Sequence, residues 1–122
     1  MKLQTLIKAL EHKKGAVLEY PFGDDVMVYK VMNKMFALIG VEDKPKRLNL
    51  KCDPNDALAY RDIFENVTAG YHMNKKHWNT LYFDKDESMP EESIIEMINH
   101  SYDLVVSKLT RKQKEELKSL HK

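Results

Sequence analysis

Apolar residues near the start of the chain recur at the spacing of one face of an α-helix, at positions i, i+3, i+4 and i+7. The four residues of this repeat are Leu3, Leu6, Ile7 and Leu10. Gly15 follows two lysines and suits the end of a helix, because glycine adopts the left-handed backbone conformation at little cost. The pattern predicts a first helix that ends before Gly15.

Three segments of strand length follow, each rich in β-branched and aromatic residues and separated from the next by turn residues. They are Val26–Met32, Met35–Val41 and Arg47–Cys52. The Asn33-Lys34 junction suits a tight hairpin, since asparagine tolerates a positive φ, and residues 42–46 suffice for a projecting loop. In the last segment Arg47, Asn49 and Lys51 alternate with apolar residues, so we expect one basic, solvent-exposed face.

The second half of the chain begins with a strong helix start. Asp53 is a good N-cap and Pro54 suits the first helical position, which predicts a second helix to about Asn66. Two extended segments are predicted next, at Thr68–Met73 and His77–Phe83.

Two more helices are predicted toward the end of the chain. Pro90 and the two glutamates after it suit a helix start, and a broad apolar stripe continues from there to Leu109. Thr110 and Gln113 have the spacing of a capping box, which starts a short terminal helix.

The predicted order is one helix, three strands, a helix, two strands, a helix and a short C-terminal helix. Strands grouped on both sides of a helix favour an α+β fold, a two-layer sandwich with an antiparallel sheet, over a parallel α/β fold. The length of 122 residues suits a single domain over 1–122. Within it, residues 110–122 form a basic helical tail.

The overall charge is almost neutral, but basic residues are clustered along the chain. Twenty Lys and Arg residues against nineteen Asp and Glu give a net charge of +1, so composition alone does not indicate a partner that is a polyanion. Basic residues cluster, however, on the predicted 42–46 loop, on the third strand, before the last strand and in the tail. Clustered cations on projecting loops can contact a phosphate backbone, although a mixed-charge surface that merely solubilises the protein is the alternative.

The remaining chemistry is sparse. The single cysteine forms no internal disulfide, and no apolar run approaches the ~18 residues of a membrane span, so we expect a cytoplasmic protein that does not enter the membrane. Cys52 precedes a helix start, yet its place in the strand alternation favours burial over reactivity. His72 and His77 are too few ligands for a structural zinc site. We therefore expect no catalytic residue, metal or cofactor.

Five short strings, in this order, resemble the MmcQ/YjbR family of small bacterial proteins. They are Pro21-Phe22-Gly23, Lys34-Met35-Phe36-Ala37, Leu50-Lys51-Cys52-Asp53-Pro54, residues 70–80 and Ser101-Tyr102. The resemblance implies a CyaY-like or secretion-chaperone-like fold, α-β(3)-α-β(2)-α, and a non-enzymatic DNA-binding protein with a double-wing arrangement. Asn33 and Ala69 depart from the glycine and proline that are common in the family at these positions.

If the two hairpin regions are the wings, their cations and those of the tail are the candidate DNA contacts. These are Lys44, Lys46, Arg47, Lys51, Lys75, Lys76, Arg111 and Lys112. The residues of the family string that are candidates for base stacking or base contact are His72, Asn74, His77 and Trp78, for which a turn or core role is the alternative. The competing hypothesis is a protein-interaction or chaperone-like module, because Leu117 and Leu120 can pack on a partner or a second copy.

Overall fold

The computed structural model describes residues 1–84 and 89–120. Its helices are α1 (Leu3–Glu11), α2 (Pro54–Ile63), α3 (Glu91–Ser107) and α4 (Arg111–Ser119). Its strands are β1 (Ala16–Glu19), β2 (Val26–Val31), β3 (Lys34–Gly40), β4 (Arg47–Lys51), β5 (Val67–Ala69) and β6 (Trp78–Leu81). The strands form one antiparallel sheet in the order β1-β2-β3-β4-β6-β5. The α+β class and the short C-terminal helix are confirmed. Lys122 of the predicted tail lies outside the described residues.

The helices pack on one face of the sheet and bury the main core there. Leu6 and Leu10 of α1 and Ile94 and Ile98 of α3 belong to this core, together with strand residues such as Ile39. The opposite face, hereafter the open face, has a smaller cluster of Val28, Leu38 and Trp78. No helix of the described residues is long and apolar enough to cross a membrane.

The sheet has one strand more than the sequence predicts. β1 pairs with β2 from Ala16 opposite Val31 to Glu19 opposite Val28. With four residues, β1 is too short for its alternation to stand out. Glu19, the charged residue of β1, forms an ion pair with Lys30 on the neighbouring strand β2, at 2.9 Å. Four strands therefore precede α2, whereas the sequence predicts three.

The hairpin between β2 and β3 turns one residue earlier than predicted. Val31 pairs with Lys34, so Met32 and Asn33 are the two turn residues, and their φ values are 47° and 68°. Two positive φ values define the type I′ turn, whose twist suits a two-residue hairpin. Asn33 therefore occupies a position that favours glycine or asparagine.

A bulge in β3 ties the sheet to α3. Tyr29 pairs with Ala37 but Lys30 pairs with Met35, which leaves Phe36 as the extra residue. The buried Ser101 hydroxyl donates to the Phe36 carbonyl at 2.6 Å and accepts from the Lys51 N–H at 2.9 Å. This contact fixes the end of β4 against the helix layer.

The terminal helix folds back onto its own chain. The predicted capping box is present, since Thr110 and Gln113 exchange side-chain bonds to each other's backbone N–H. Leu117 is buried, and a Cβ added to Gly15 would lie 2.7 Å from it, which shows how closely α4 packs there. Of the two leucines that the competing hypothesis offers to a partner, Leu117 is therefore covered within the chain, whereas Leu120 is 43% exposed.

Candidate nucleic-acid interface

The basic group on the 42–46 loop is largely neutralised by carboxylates. Lys46 lies 3.5 Å from Asp84, which also accepts from the Lys46 backbone N–H at 3.0 Å. Arg47 pairs with Asp43 and lies over the Tyr71 ring, with 4.8 Å between the guanidinium carbon and the ring centroid. Of the three cations predicted here, Lys44 alone is exposed without a carboxylate partner among the described residues.

The sequence predicts that the open face of β4 is basic and solvent-exposed, but the structure shows that one of its three residues, Asn49, is buried. Asn49 is 1% exposed because the segment 70–73 crosses over it. Its Nδ2 donates to the Tyr71 carbonyl at 3.2 Å, and its Oδ1 accepts from the Thr80 hydroxyl at 2.7 Å. The Tyr71 N–H in turn donates to Thr80 Oγ1 at 2.8 Å. Asn49 therefore holds the loop on the sheet.

The loop between β5 and β6 needs special backbone geometry at its start. A Cβ on Gly70 would lie 2.9 Å from the Trp78 carbonyl oxygen, so the two chain segments approach as only glycine permits. His72 has a φ of 59°, and its ring centroid lies 3.9 Å from that of Tyr71. Both side chains are exposed, which leaves His72 accessible to a partner.

The turn that carries Lys75 and Lys76 is fixed from within. Asn74 Oδ1 accepts from the Lys76 N–H at 3.0 Å. The Asn74 side chain therefore stabilises the turn, which is the alternative to base contact that its sequence position offered. Lys75 Nζ donates to the Gly70 carbonyl at 3.1 Å. Arg61 of α2, which the sequence analysis missed, donates to the Lys75 carbonyl. Both lysines stay on the surface, on a rigid turn.

His77 and Trp78 have mainly structural roles, one in strand pairing and the other in packing. Trp78 is 8% exposed and packs against Val28 and Leu38, so its ring is not a free stacking platform. His77 is half-buried, and its carbonyl accepts from the Cys52 N–H at 2.8 Å, which extends the pairing of β4 and β6. The core role of Trp78, one of the two interpretations of its sequence position, is the one that the structure has.

Lys51 belongs to a cluster that the sequence analysis missed. It lines a cavity of about 320 Å³ with Lys34 at the start of β3 and Lys108 at the end of α3, hereafter the lysine pocket. Its other lining residues are Met35, Trp78 and Val105. The three lysines are far apart in sequence, and the fold brings them to one cavity.

The predicted cations differ in their surroundings. Lys75 and Lys76 lie on the turn before β6, whereas the C-terminal part of α4, with Leu117 and Leu120, docks near Gly15 and Val31 at the β1–β2 side of the sheet. Arg111 is exposed and 3.5 Å from Glu115. Among the described residues, the wing lysines without a carboxylate partner are Lys44 on one side of β4 and a group of three, Lys51, Lys75 and Lys76, at or beyond its other end.

Cys52 is buried, as predicted from the strand alternation. Burial, with Asp56 and Asp53 nearby, raises the pKa of its thiol to about 12. The thiol therefore stays protonated at neutral pH and is a poor nucleophile. No group of three potential metal-ligating His, Cys, Asp or Glu side chains occurs within residues 1–84 and 89–120.

Comparison with known proteins places this fold in a family. The YjbR family model matches residues 11–104. The uncharacterised protein YjbR of Escherichia coli K12 is 33% identical over 121 residues, which cover 98% of this chain and all of that protein. The uncharacterised protein YbdF of Escherichia coli O157:H7 is 34% identical over 99 residues, covering 81% of this chain and 80% of YbdF.

Solved structures agree with this assignment. A crystal structure of a Deinococcus radiodurans protein with a DUF419 domain is 32% identical, with a TM-score of 0.87 over 98% of this chain and 92% of that one. A Pseudomonas syringae protein that is 23% identical shares the fold, with a TM-score of 0.72 over 85% of this chain and 98% of the other. By its family model, its relatives and its fold, the chain belongs to the YjbR family.

Proposed function

We propose that this protein is a non-enzymatic, cytoplasmic module that contacts duplex DNA through its phosphates. The observation that carries the proposal is the set of exposed or half-buried lysines without a carboxylate partner among the described residues, near both ends of β4. Lys44 projects from the 42–46 loop, and Lys51, Lys75 and Lys76 lie at or beyond the opposite end. Cations on rigid turns position a protein on the phosphate backbone and do not read the sequence.

The spacing of the two groups suits a duplex. Arg47 and Lys51 begin and end β4, and a strand rises about 3.3 Å per residue, so they lie about 13 Å apart. The major groove of B-DNA is about 12 Å wide. β4 itself is therefore about as long as that groove is wide, and the lysines of the proposed contact lie at or beyond its two ends.

The neutralised cations have a smaller part in this proposal. Arg47 and Lys46 already pair with Asp43 and Asp84, which neutralises part of their charge before any contact with a phosphate. Arg111 lies 3.5 Å from Glu115, and Lys112 is exposed on the same helix and adds to the general attraction for a polyanion. Cys52 is buried and protonated, in agreement with a non-enzymatic role.

Fluorescence anisotropy with a labelled duplex of arbitrary sequence tests the proposal. We expect the double variant Lys75→Ala/Lys76→Ala and the single variant Lys44→Ala to bind the duplex more weakly at low salt, by a similar factor for every sequence. Lys8→Ala is the matched control, because Lys8 is an exposed lysine on α1 in the helix layer. Equal affinities for all four proteins would contradict the proposed surface.

The second candidate is self-association through the open face. A cavity of about 210 Å³ there is mainly apolar, and Phe22 and Tyr71 at its rim are 60% and 48% exposed. β1, with exposed Val17, is also an unpaired sheet edge that a second copy can extend. Sedimentation should then show a concentration-dependent mass that Phe22→Ser and Val17→Lys reduce. A constant monomer mass at high concentration would exclude this candidate.

A further inference from the structure

The lysine pocket concentrates positive charge around a cavity of ligand size. Its volume of about 320 Å³ lies at the lower end of the range for small-molecule sites, about 300–1,000 Å³. Lys34, Lys51 and Lys108 are half of its lining, and none of the lining residues is acidic. Three like charges around one cavity repel each other, and an anion between them would relieve that repulsion.

The pocket is also built on fixed elements. Lys51 is held by its backbone bond to Ser101 and by its pairing with Trp78, and Lys34 follows the type I′ turn. Lys108 is the C-cap of α3, so the partial negative charge of the helix end offsets part of its charge. Lys34 and Lys51 have no carboxylate partner within residues 1–84 and 89–120. Sites on helices and strands hold a ligand more accurately than sites on free loops.

The lining chemistry indicates what the pocket takes. Lysine ammonium groups bind phosphate as point charges with three donors each. A phosphate monoester carries between one and two negative charges near neutral pH. Met35, Trp78 and Val105 provide an apolar wall for the rest of such a molecule. We propose that the lysine pocket binds a small ligand that carries a phosphate or diphosphate group, at a site that shares Lys51 with the proposed DNA contact but depends on Lys34 and Lys108, which lie outside that contact.

The only tryptophan of the chain reports on this pocket directly, since Trp78 lines it. The probe is inorganic pyrophosphate, titrated at constant ionic strength while tryptophan emission is recorded. We expect a saturable change in the emission. The double variant Lys34→Ala/Lys108→Ala should bind at least tenfold more weakly, while Lys8→Ala should match the unaltered protein. An absent or non-saturating response, or one equal in all three proteins, would overturn the proposal.

A second titration separates this inference from the proposed function, because Lys34 and Lys108 are not among the proposed DNA contacts. The same double variant is assayed for duplex binding by anisotropy, with thermal melting to verify that it is folded. Unchanged duplex binding with loss of pyrophosphate binding supports a pocket ligand that needs Lys34 and Lys108, which the duplex does not need. Pyrophosphate binding without any duplex binding leaves the pocket standing and removes the DNA proposal. Duplex binding without a pyrophosphate response overturns the pocket alone.

Discussion

At the scale of single residues, Ser101 has an unusual role for a helix side chain. Its hydroxyl joins the bulged strand β3 and the end of strand β4 to helix α3, and it is fully buried. The sequence shows Ser101 next to Tyr102 in a family string, but its partners are 65 and 50 residues away. Local patterns therefore could not assign its role.

We expect Ser101→Ala to lower the free energy of unfolding by about 2–4 kcal/mol, because the Phe36 carbonyl and the Lys51 N–H would both lose a buried partner. Urea denaturation measures this change. Ser107→Ala is the control on the same helix, since Ser107 is exposed and bonds only to the Leu104 carbonyl, and its effect should stay within about 0.5 kcal/mol. Equal effects of the two substitutions would contradict the role of Ser101.

Cys52 makes the folding stability of the protein depend on pH in the alkaline range. Its pKa rises from 9.0 to about 12 on folding, so the folded state holds the thiol proton more tightly than the unfolded state. The contribution of this group to stability is complete below pH 9 and is lost as the pH rises toward 12. We expect stability to fall from pH 9 to pH 10.5, and less steeply in Cys52→Ala. Denaturation series at several pH values test this, and identical slopes would contradict it.

At the scale of elements, those set by local chemistry were predictable. The Asp53 cap, with its Oδ1 3.0 Å from the Asn55 nitrogen, and the capping box of α4 both depend on residues two or three apart in sequence. β1 and the end of α2 depend on pairing and packing with distant segments. α2 ends at Ile63, earlier than predicted, because Phe64 is extended and a turn, closed by the Val67 N–H on the Phe64 carbonyl at 3.1 Å, leads from there into β5.

The docking of α4 makes a prediction of its own. We expect Leu117→Ala to cost about 2–4 kcal/mol of unfolding free energy, because it leaves a cavity beside Gly15. Leu120→Ala should cost less than about 1 kcal/mol, since Leu120 is 43% exposed. Thermal and urea denaturation measure both. A small effect at Leu117 would mean that α4 is not part of the folded core.

At the scale of the whole molecule, the sequence predicts which residues are charged but not which charges are free. Arg47 and Asp43 are four residues apart, yet Lys46 meets its partner Asp84 only through the fold. The lysine pocket likewise joins three elements that are distant in sequence. Folding therefore reduced one predicted basic group and created another, although the family and the α+β class were evident from the sequence.

The salt dependence of duplex binding tests the central claim most directly. With Lys44, Lys51, Lys75 and Lys76 on phosphates, log K should fall with log salt concentration at a slope of about −3.5, and Lys76→Ala should make this slope shallower by about one. The slope is measured by anisotropy from low to physiological salt, with Lys8→Ala as the control. A duplex that does not bind even at low salt, or a slope near zero, would contradict phosphate recognition by this protein.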